Sequence, residues 1–258
     1  MAKVDMVIFD LDGTAIDSPD QKLPSERLIA AVRTAEEKYI LCAATGRPWS
    51  FAAPVLQALG LKDACIIAGG ARICDPQSGE VLWQATIDNA AAQAALEVLR
   101  KYPTYKLLCN DYVEADYTED RGAVPQDFIM TEPIYFLEQT YIPESIAPEI
   151  NAQLEKIDGI TSTLVVAQRD GQNDIHITAQ AATKEHAVGE LLRMLGVEQR
   201  FARGIGDGHN DIHLFRAVGR KIAIGNAVPD LKAEADFVIG DVRDDGLAAY
   251  LEELVSYG

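Results

Sequence analysis

The sequence predicts an α/β fold, a parallel β-sheet with helices on both faces, into which a separate α+β domain is inserted. Three observations support this prediction. Strand-like apolar runs alternate with helix-like segments in the first third of the 258 residues, and they do so again in the last third. The middle third instead combines two helices with strands that pair as hairpins. Because strands that alternate with helices form parallel sheets, the two ends of the chain predict one Rossmann-like, three-layer core.

Each element of the first third has a local cause. Apolar runs predict strands at 4–9, 40–44 and 65–68. Helical spacing of apolar residues predicts a helix over 25–38, with Ser25 as its N-cap, and a second helix over 50–59 that Gly60 ends.

The last third repeats this rhythm. Residues 184–195 predict a helix that ends at Gly196, a second helix follows Asp211, and short strands are expected at 201–205, 222–224 and 237–239.

The middle third predicts a different kind of domain. Its helices are expected at 89–101 and 145–157, and its strands at 105–109, 161–167 and 174–178. Arg169-Asp170-Gly171 is typical of a hairpin turn between the last two strands. We therefore expect a catalytic core formed by residues 1–80 and 183–258, and an inserted α+β domain over 81–182.

Charge restricts the class of partner. The formal net charge is −17, from 40 acidic and 23 basic residues, which disfavours binding to nucleic acids and anionic membranes. No apolar run is long enough to cross a bilayer, and the N-terminal region does not resemble a secretory signal. We expect a cytoplasmic protein, and the sequence gives no indication of oligomeric state.

The segment Asp10-Leu11-Asp12-Gly13-Thr14 follows the apolar run of the first strand. Strand side chains alternate, so both carboxylates point the same way at the exit of a buried strand. An Asp-Gly turn alone would be ordinary. Two adjacent buried carboxylates, however, are costly unless a cation or specific chemistry compensates for them.

Polar residues at other predicted strand ends and helix starts complete a candidate site. Ligands of open parallel sheets bind at the carboxyl ends of the strands. The polar residues expected there are Asp10, Asp12, Thr45, Lys184, Asp207 and Asp211. Several carboxylates in one cleft suit Mg²⁺, and a lysine opposite them suits a phosphoryl oxygen. This combination predicts a phosphoryl-transfer site.

These motifs resemble those of the haloacid dehalogenase superfamily. Asp10-x-Asp12-Gly13-Thr14 is similar to its first motif, Thr45-Gly46-Arg47 to its second, Lys184 to its third, and Gly206-Asp207-Gly208-x-Asn210-Asp211 to its fourth. Ile224-Gly225-Asn226-Ala227 resembles the segment that follows in the Cof-type branch. The insert resembles the C2-type cap of Cof-like sugar-phosphate phosphatases.

The resemblance implies a Mg²⁺-dependent phosphatase that hydrolyses a small phosphomonoester, such as a sugar phosphate, through an aspartyl-phosphate. Asp10 would be the nucleophile, and Asp12 would protonate the leaving alcohol and then deprotonate water. Lys184 would neutralise the phosphoryl group and orient Asp10. The implied phosphate-binding residues are Thr45, Gly46, Lys184 and Asn210, and the implied metal ligands are Asp10, Asp12 (through its carbonyl), Asp207 and Asp211.

Two positions depart from the family pattern, and two others have an open role. Gly69-Gly70 replaces the usual Asn-Gly, which puts substrate specificity in doubt, and Glu185 replaces a frequent glycine. Arg47 either faces an anionic substrate or pairs with a surface acid. Asn226 is either a turn residue or a contact to the active-site loop, and both are candidates for substrate binding.

Two alternative functions stay open at this point. A phosphomutase of the same superfamily would keep its aspartyl-phosphate until the substrate has reoriented in the active site. A non-catalytic phospho-acceptor signalling protein would use a similar set of acids, threonine and lysine around Mg²⁺. Its acidic pair and acceptor aspartate lie on different strands, however, and it does not account for the inserted domain.

Overall fold

A computed structural model describes residues 5–17, 23–99, 101–102, 106–110, 133–166 and 171–257. Contacts divide the chain into two compact units. The first consists of Met1–Trp83 with Thr183–Gly258, and the second of Gln84–Ala182. The role of an inserted cap, inferred for residues 81–182, stays a prediction.

The described residues form the following elements. The strands are β1 (Met6–Phe9), β2 (Ile40–Ala43), β3 (Cys65–Ile67), β4 (Arg72–Cys74), β5 (Val81–Gln84), β6 (Lys106–Cys109), β7 (Phe136–Pro143), β8 (Ile160–Val166), β9 (Gln172–Ala179), β10 (Ala202–Gly206), β11 (Arg220–Ala223) and β12 (Phe237–Val238). The helices are α1 (Glu26–Ala35), α2 (Trp49–Leu59), α3 (Asn89–Leu99), α4 (Ala147–Leu154), α5 (Lys184–Leu195), α6 (Asp211–Arg216), α7 (Pro229–Glu234) and α8 (Gly246–Tyr257).

The predicted parallel sheet with helices on both faces is confirmed. In the first unit, five strands lie in the order β12-β11-β10-β1-β2, and every neighbouring pair is parallel. Alternate residues of β1 enter two different apolar clusters. Val7 packs with residues of α1, α2 and α8, whereas Ile8 packs with residues of α5 and α6. The strand is therefore buried on both faces, as a Rossmann-like core requires.

The third predicted strand lies outside this sheet. β3 lies in a three-stranded sheet in the order β3-β4-β5, antiparallel to β4, and a single parallel bridge between Ala44 and Ile66 links it to β2. The cause is the turn after β3. Ala68, Gly69 and Gly70 all have positive φ (51°, 67° and 107°), which sends the chain back along β3.

Local signals account for several helix ends. The Ser25 side chain accepts a hydrogen bond from the Leu28 N–H, so Ser25 caps α1 as expected. Gly60 and Gly196 end α2 and α5 in the left-handed conformation. The bounds of α5 agree with the prediction for 184–195.

The second unit contains a four-stranded antiparallel sheet in the order β6-β7-β9-β8, with helices α3 and α4. Of the turn predicted at Arg169-Asp170-Gly171, the first two residues lie outside the described part. None of the helices that the described residues form is both long and apolar enough to cross a membrane. The cytoplasmic location expected from the sequence stays a prediction.

Candidate active site

Two neighbouring strands bring the first and fourth motifs together. β1 and β10 are parallel with Phe9 opposite Ile205, and the Asp10 N–H donates to the Ile205 carbonyl at 3.0 Å. Asp10 and Asp207 follow these two strands at the same edge of the sheet. The edge where the carboxyl ends meet is therefore acidic, as the motif spacing predicts.

Lys184 is the buried cation of this edge. It begins α5 directly after the N-cap Thr183, whose side chain accepts from the His186 N–H. Its Nζ lies 2.6 Å from Asp10 Oδ1 and 2.7 Å from Asp211 Oδ1. The exposed fractions of Lys184, Asp10 and Asp211 are only 3%, 4% and 0%. One ammonium group thus links two carboxylates that are almost completely buried.

The second oxygen of Asp211 organises the loop after β10. Asp211 Oδ2 accepts from the backbone N–H groups of Asp207 and Gly208, at 3.0 and 3.1 Å. Both oxygens of Asp211 therefore already have protein partners. Its contacts stabilise the loop that presents Asp207.

A glycine in the first motif allows Asp207 to approach. Gly13 has φ +74°, and a Cβ at this position would lie 2.2 Å from Asp207 Oδ2. Any side chain at residue 13 would therefore collide with the carboxylate. The Thr14 hydroxyl, in turn, donates to Asp207 Oδ1 at 3.4 Å.

Burial and mutual repulsion alter the ionisation of these groups. Burial raises the pKa of Asp10 well above its ordinary value; Lys184 opposes this effect, and the neighbouring carboxylates add to it. Burial, followed by the charge of Asp211, raises the pKa of Asp207 to about 7. Burial alone would lower the pKa of Lys184, but the carboxylates of Asp10 and Asp211 outweigh it and raise the pKa above the ordinary value. Lys184 is therefore charged at neutral pH.

The donor set fits a hard divalent cation. One carboxylate oxygen from each of Asp10, Asp207 and Asp211 lies within 4.8 Å of the others. Oxygen ligands of this kind suit Mg²⁺, which commonly binds one or two carboxylates and keeps several waters. A bound cation would also offset the burial and the repulsion from Asp211 that raise the pKa of Asp207.

Asp12 lies outside this group of three carboxylates, although its charge acts on both Asp10 and Asp207. Its side chain is 38% exposed and forms an ion pair with Arg47. Arg47 Nη2 lies 2.5 Å from Asp12 Oδ1, and Arg47 Nε lies 2.8 Å from Oδ2. Two roles were considered for Arg47, contact with an anionic substrate and pairing with an acid. In the structure its guanidinium group pairs with an acid. That partner is a residue of the first motif.

Thr45 and Gly46 lie at the end of β2, beside the first motif. Thr45 is fully buried, and its Oγ1 accepts the N–H of Arg47 at 3.1 Å. The turn is fixed from the other side because the N–H of Gly69 donates to the Thr45 carbonyl at 3.1 Å. Gly69 therefore supports the second motif through its backbone.

The structure shows the surroundings of three positions that the sequence singled out, Asn210, Asn226 and Glu185. Asn210 is exposed and does not cap α6 with its side chain, and the described partners of Lys184 are aspartates. Asn226 Nδ2 donates to the Gly13 carbonyl at 2.7 Å, and its Oδ1 accepts from the Val242 N–H at 3.0 Å. Asn226 thus contacts the active-site loop. Glu185 is exposed, 3.7 Å from His213.

Sequence reasoning missed two contacts of this site. These are the Thr14 hydroxyl on Asp207 and the Arg47 pair with Asp12. A signal for the first was present, because a residue beside Gly13 must lie near whatever follows the adjacent strand. The second had no local signal, since 35 positions separate the two residues.

Comparison with known proteins agrees with this geometry. The family model for haloacid dehalogenase-like hydrolases matches residues 7–251. A phosphoglycolate phosphatase of Archaeoglobus fulgidus is 26% identical over 254 residues, which cover 98% of each chain. The 5-amino-6-(5-phospho-D-ribitylamino)uracil phosphatase YcsE of Bacillus subtilis is 24% identical over 258 residues, covering 98% of this chain and 96% of that protein.

The fold is also similar to that of a solved protein. The structure of the HAD subclass IIB sugar phosphatase BT4131 matches with a TM-score of 0.76 at 22% identity, covering 97% of this chain and 98% of the other. The resemblance inferred from the four motifs is confirmed. Because the family model extends from the first strand of the sheet to the last helix, this chain belongs to the haloacid dehalogenase-like hydrolases.

Proposed function

We propose that the chain hydrolyses a small phosphomonoester with the help of Mg²⁺, through an aspartyl-phosphate on Asp10. The chain is a hydrolase of phosphoric monoesters, as its relatives are. The metal, the covalent route and the class of substrate are the proposed parts. The observation that carries the proposal is the ammonium group of Lys184, which bridges Asp10 and Asp211 beside Asp207.

Asp10 is suited to act as the nucleophile. Lys184 holds its Oδ1, whereas its Oδ2 has no hydrogen-bond partner among the described residues. We infer that Oδ2 attacks phosphorus while the bond to the ester oxygen breaks, which leaves phosphate linked to Asp10. Lys184 keeps the carboxylate in place and offsets part of the negative charge.

Asp12 is suited to move the protons. It is partly exposed at the edge of the acidic cluster, so it can reach a leaving group in the cleft. Asp12 would give a proton to the departing alkoxide oxygen. It would then take a proton from the water that attacks phosphorus and releases Asp10. Such acid–base help typically contributes about 10²–10⁴ in rate.

Thr45 and Gly46 would bind the phosphoryl oxygens. The Thr45 hydroxyl accepts a bond from Arg47 but donates none within the described part of the chain, so its proton is available to a phosphoryl oxygen. For Asn210, which is exposed at the start of α6, a contact to phosphate stays a prediction.

Asp10, the main-chain carbonyl of Asp12, and Asp207 would hold Mg²⁺. Asp211 would bind Mg²⁺ directly or through a water molecule. The water-mediated contact is favoured because both oxygens of Asp211 already have protein partners. When bound, Mg²⁺ supplies positive charge that offsets the negative charge of the carboxylates and of the phosphoryl group.

The substrate class is inferred from the relatives. One acts on phosphoglycolate and another on a phosphorylated ribitylamino compound, according to their names. Both are phosphomonoesters of small polar carbon skeletons. We therefore propose a sugar phosphate or a related polyol or acid phosphate as the substrate of this chain.

The test is phosphate release from p-nitrophenyl phosphate, followed by a panel of phosphorylated metabolites. We expect steady turnover with Mg²⁺, its loss after chelation with EDTA, and its return when Mg²⁺ is restored. Release should need no sugar bisphosphate activator, which distinguishes a phosphatase from a phosphomutase. Labelling that stops at one equivalent per chain would contradict the proposal and indicate a phospho-acceptor protein.

A further inference from the structure

Three arginines line a cavity at the other end of the same sheet. The cavity has a volume of about 130 Å³, several times what one water molecule needs, and is lined by Asp5, Arg200, Phe201, Arg203 and Arg220. It lies where β1, β10 and β11 begin, whereas the catalytic residues follow the ends of the strands. Arg203 and Asp207 are four residues apart on one extended chain, roughly 13 Å.

The strand register sets two of these arginines side by side. Arg203 in β10 is directly opposite Arg220 in the parallel strand β11. Neighbouring strands are about 4.8 Å apart, and residues in register point to the same face of the sheet. Like charges in such a position repel each other and destabilise the sheet. The fold therefore contains a local repulsion that an anion would relieve.

Carboxylates neutralise this repulsion only in part. Asp5 lies 3.0 Å from Arg203, and Glu198 lies 2.9 Å from Arg200 in a pair that is largely exposed. The guanidinium group of Arg220 has neither a hydrogen bond nor an ion pair with any described residue, although its charge acts on Tyr250. Three guanidinium groups thus face two carboxylates. The cavity is locally positive in a chain whose net charge is −17.

Aromatic rings hold two of the guanidinium groups. Arg200 lies 4.8 Å from the ring centroid of Phe201, and Arg203 lies 5.9 Å from that of Tyr39. Contact of a guanidinium with an aromatic face limits the motion of the side chain. The planar N–H groups of arginine match the oxygens of a phosphate group.

We propose that this arginine cavity binds a small oxyanion of the phosphate class, at a site separate from the catalytic carboxylates. A compact dianion is favoured because it provides the negatively charged partner that Arg220 lacks. It can also accept hydrogen bonds from arginines of neighbouring strands at the same time. The proposal does not depend on the proposed function, since it concerns binding at the opposite end of the sheet.

The test measures the binding of inorganic phosphate to the full chain in EDTA, by titration calorimetry and by thermal unfolding. Sodium chloride of equal ionic strength serves as the reference salt. Phosphate should raise the unfolding temperature of the wild-type protein in a saturable manner, and chloride should not. Arg220→Gln should weaken phosphate binding about tenfold, the effect of losing one charge-assisted hydrogen bond. Arg220 is exposed, so this variant is expected to fold.

Arg193→Gln is the matched control. Arg193 is an exposed arginine on α5 that pairs with Glu190, and its replacement changes the net charge equally. It should leave phosphate binding unchanged. In phosphate-free buffer, Arg220→Gln should unfold no lower than the wild type, because the repulsion from Arg203 is removed. Equal phosphate affinity of the wild type and Arg220→Gln would overturn the proposal.

Discussion

The guanidinium group of Arg47 contacts both carboxylate oxygens of Asp12, at 2.5 and 2.8 Å. The residue proposed for acid–base work is therefore oriented by a second motif of the same site. Arg47 Nη1 also donates to the Phe51 carbonyl at 3.3 Å, which fixes the guanidinium to the start of α2. Two parallel bonds from one planar group restrict the rotation of the carboxylate.

Arg47→Lys should lower kcat about tenfold, since an ammonium group cannot form this two-bond contact. KM should change little, because the effect passes through Asp12. The measurement is steady-state kinetics of Arg47→Lys in the wild-type and in the Asp12→Asn background. The lysine should have almost no effect in the second background. A similar loss in both backgrounds, mainly in KM, would indicate that Arg47 binds the substrate instead.

Lys184→Met should strongly destabilise the metal-free protein. The variant leaves the buried carboxylates of Asp10 and Asp211 without their shared cation. Removing one partner of a buried ion pair costs about 3–5 kcal/mol. Urea unfolding in EDTA measures the change, and Lys156→Met at an exposed lysine should stay within about 0.5 kcal/mol of the wild type. An equal effect of both substitutions would show that the buried pair adds no stability.

Stabilisation by Mg²⁺ should increase with pH. The pKa of Asp207 is raised from 3.8 to about 7, so the folded protein holds a proton there that the unfolded chain has already lost. The stability from this group is complete below about pH 4 and is lost as pH rises through 7. Because Mg²⁺ takes the place of the proton, it should raise the unfolding temperature more at about pH 8 than at about pH 6.

Calorimetric unfolding with and without Mg²⁺ at both pH values makes this comparison. Asp207→Asn removes one titrating group and should reduce the pH dependence, whereas the raised pKa of Asp10 leaves part of it in place. An identical increase in the unfolding temperature at the two pH values would rule out proton–metal competition at Asp207.

Gln139→Leu should stabilise the second unit. Gln139 is fully buried in β7, opposite Ile175, and neither polar atom of its side chain has a hydrogen-bond partner in the described ranges. An unsatisfied buried polar group costs about 1–3 kcal/mol, and leucine of similar size removes this penalty. Urea unfolding should show the gain, whereas Gln180→Leu at an exposed position should be nearly neutral. A loss of stability in Gln139→Leu would show that the amide has a partner.

Much of the core could be predicted from the sequence, because its signals are local. Helix α5 is marked at both ends by Thr183 and Gly196. Asp10 and Asp207 were expected together because parallel strands end at a common edge. The position of β3 could not be predicted in this way, since the turn at Ala68 to Gly70 reverses the chain against the alternating pattern.

Contacts between distant loops could be predicted only in part, since a contact of Asn226 with the active-site loop was one of two expectations but its partner atom was not specified. The pair of Arg47 with Asp12 depends on how two turns face each other, and the bond from Asn226 to the Gly13 carbonyl spans 213 positions. The opposition of Arg203 and Arg220 follows from the register of β10 and β11, which no pattern in either strand specifies. These features arise from tertiary structure rather than from periodicity.

The role of Asp10 as the nucleophile is tested most directly by comparing Asp10→Asn with the wild-type protein in Mg²⁺-dependent phosphate release. The substitution keeps the size of the side chain but replaces the nucleophilic carboxylate with an amide. Circular dichroism verifies that the variant folds. We predict that turnover of every phosphomonoester falls to the rate without enzyme while substrate binding persists. Undiminished turnover by Asp10→Asn would contradict it.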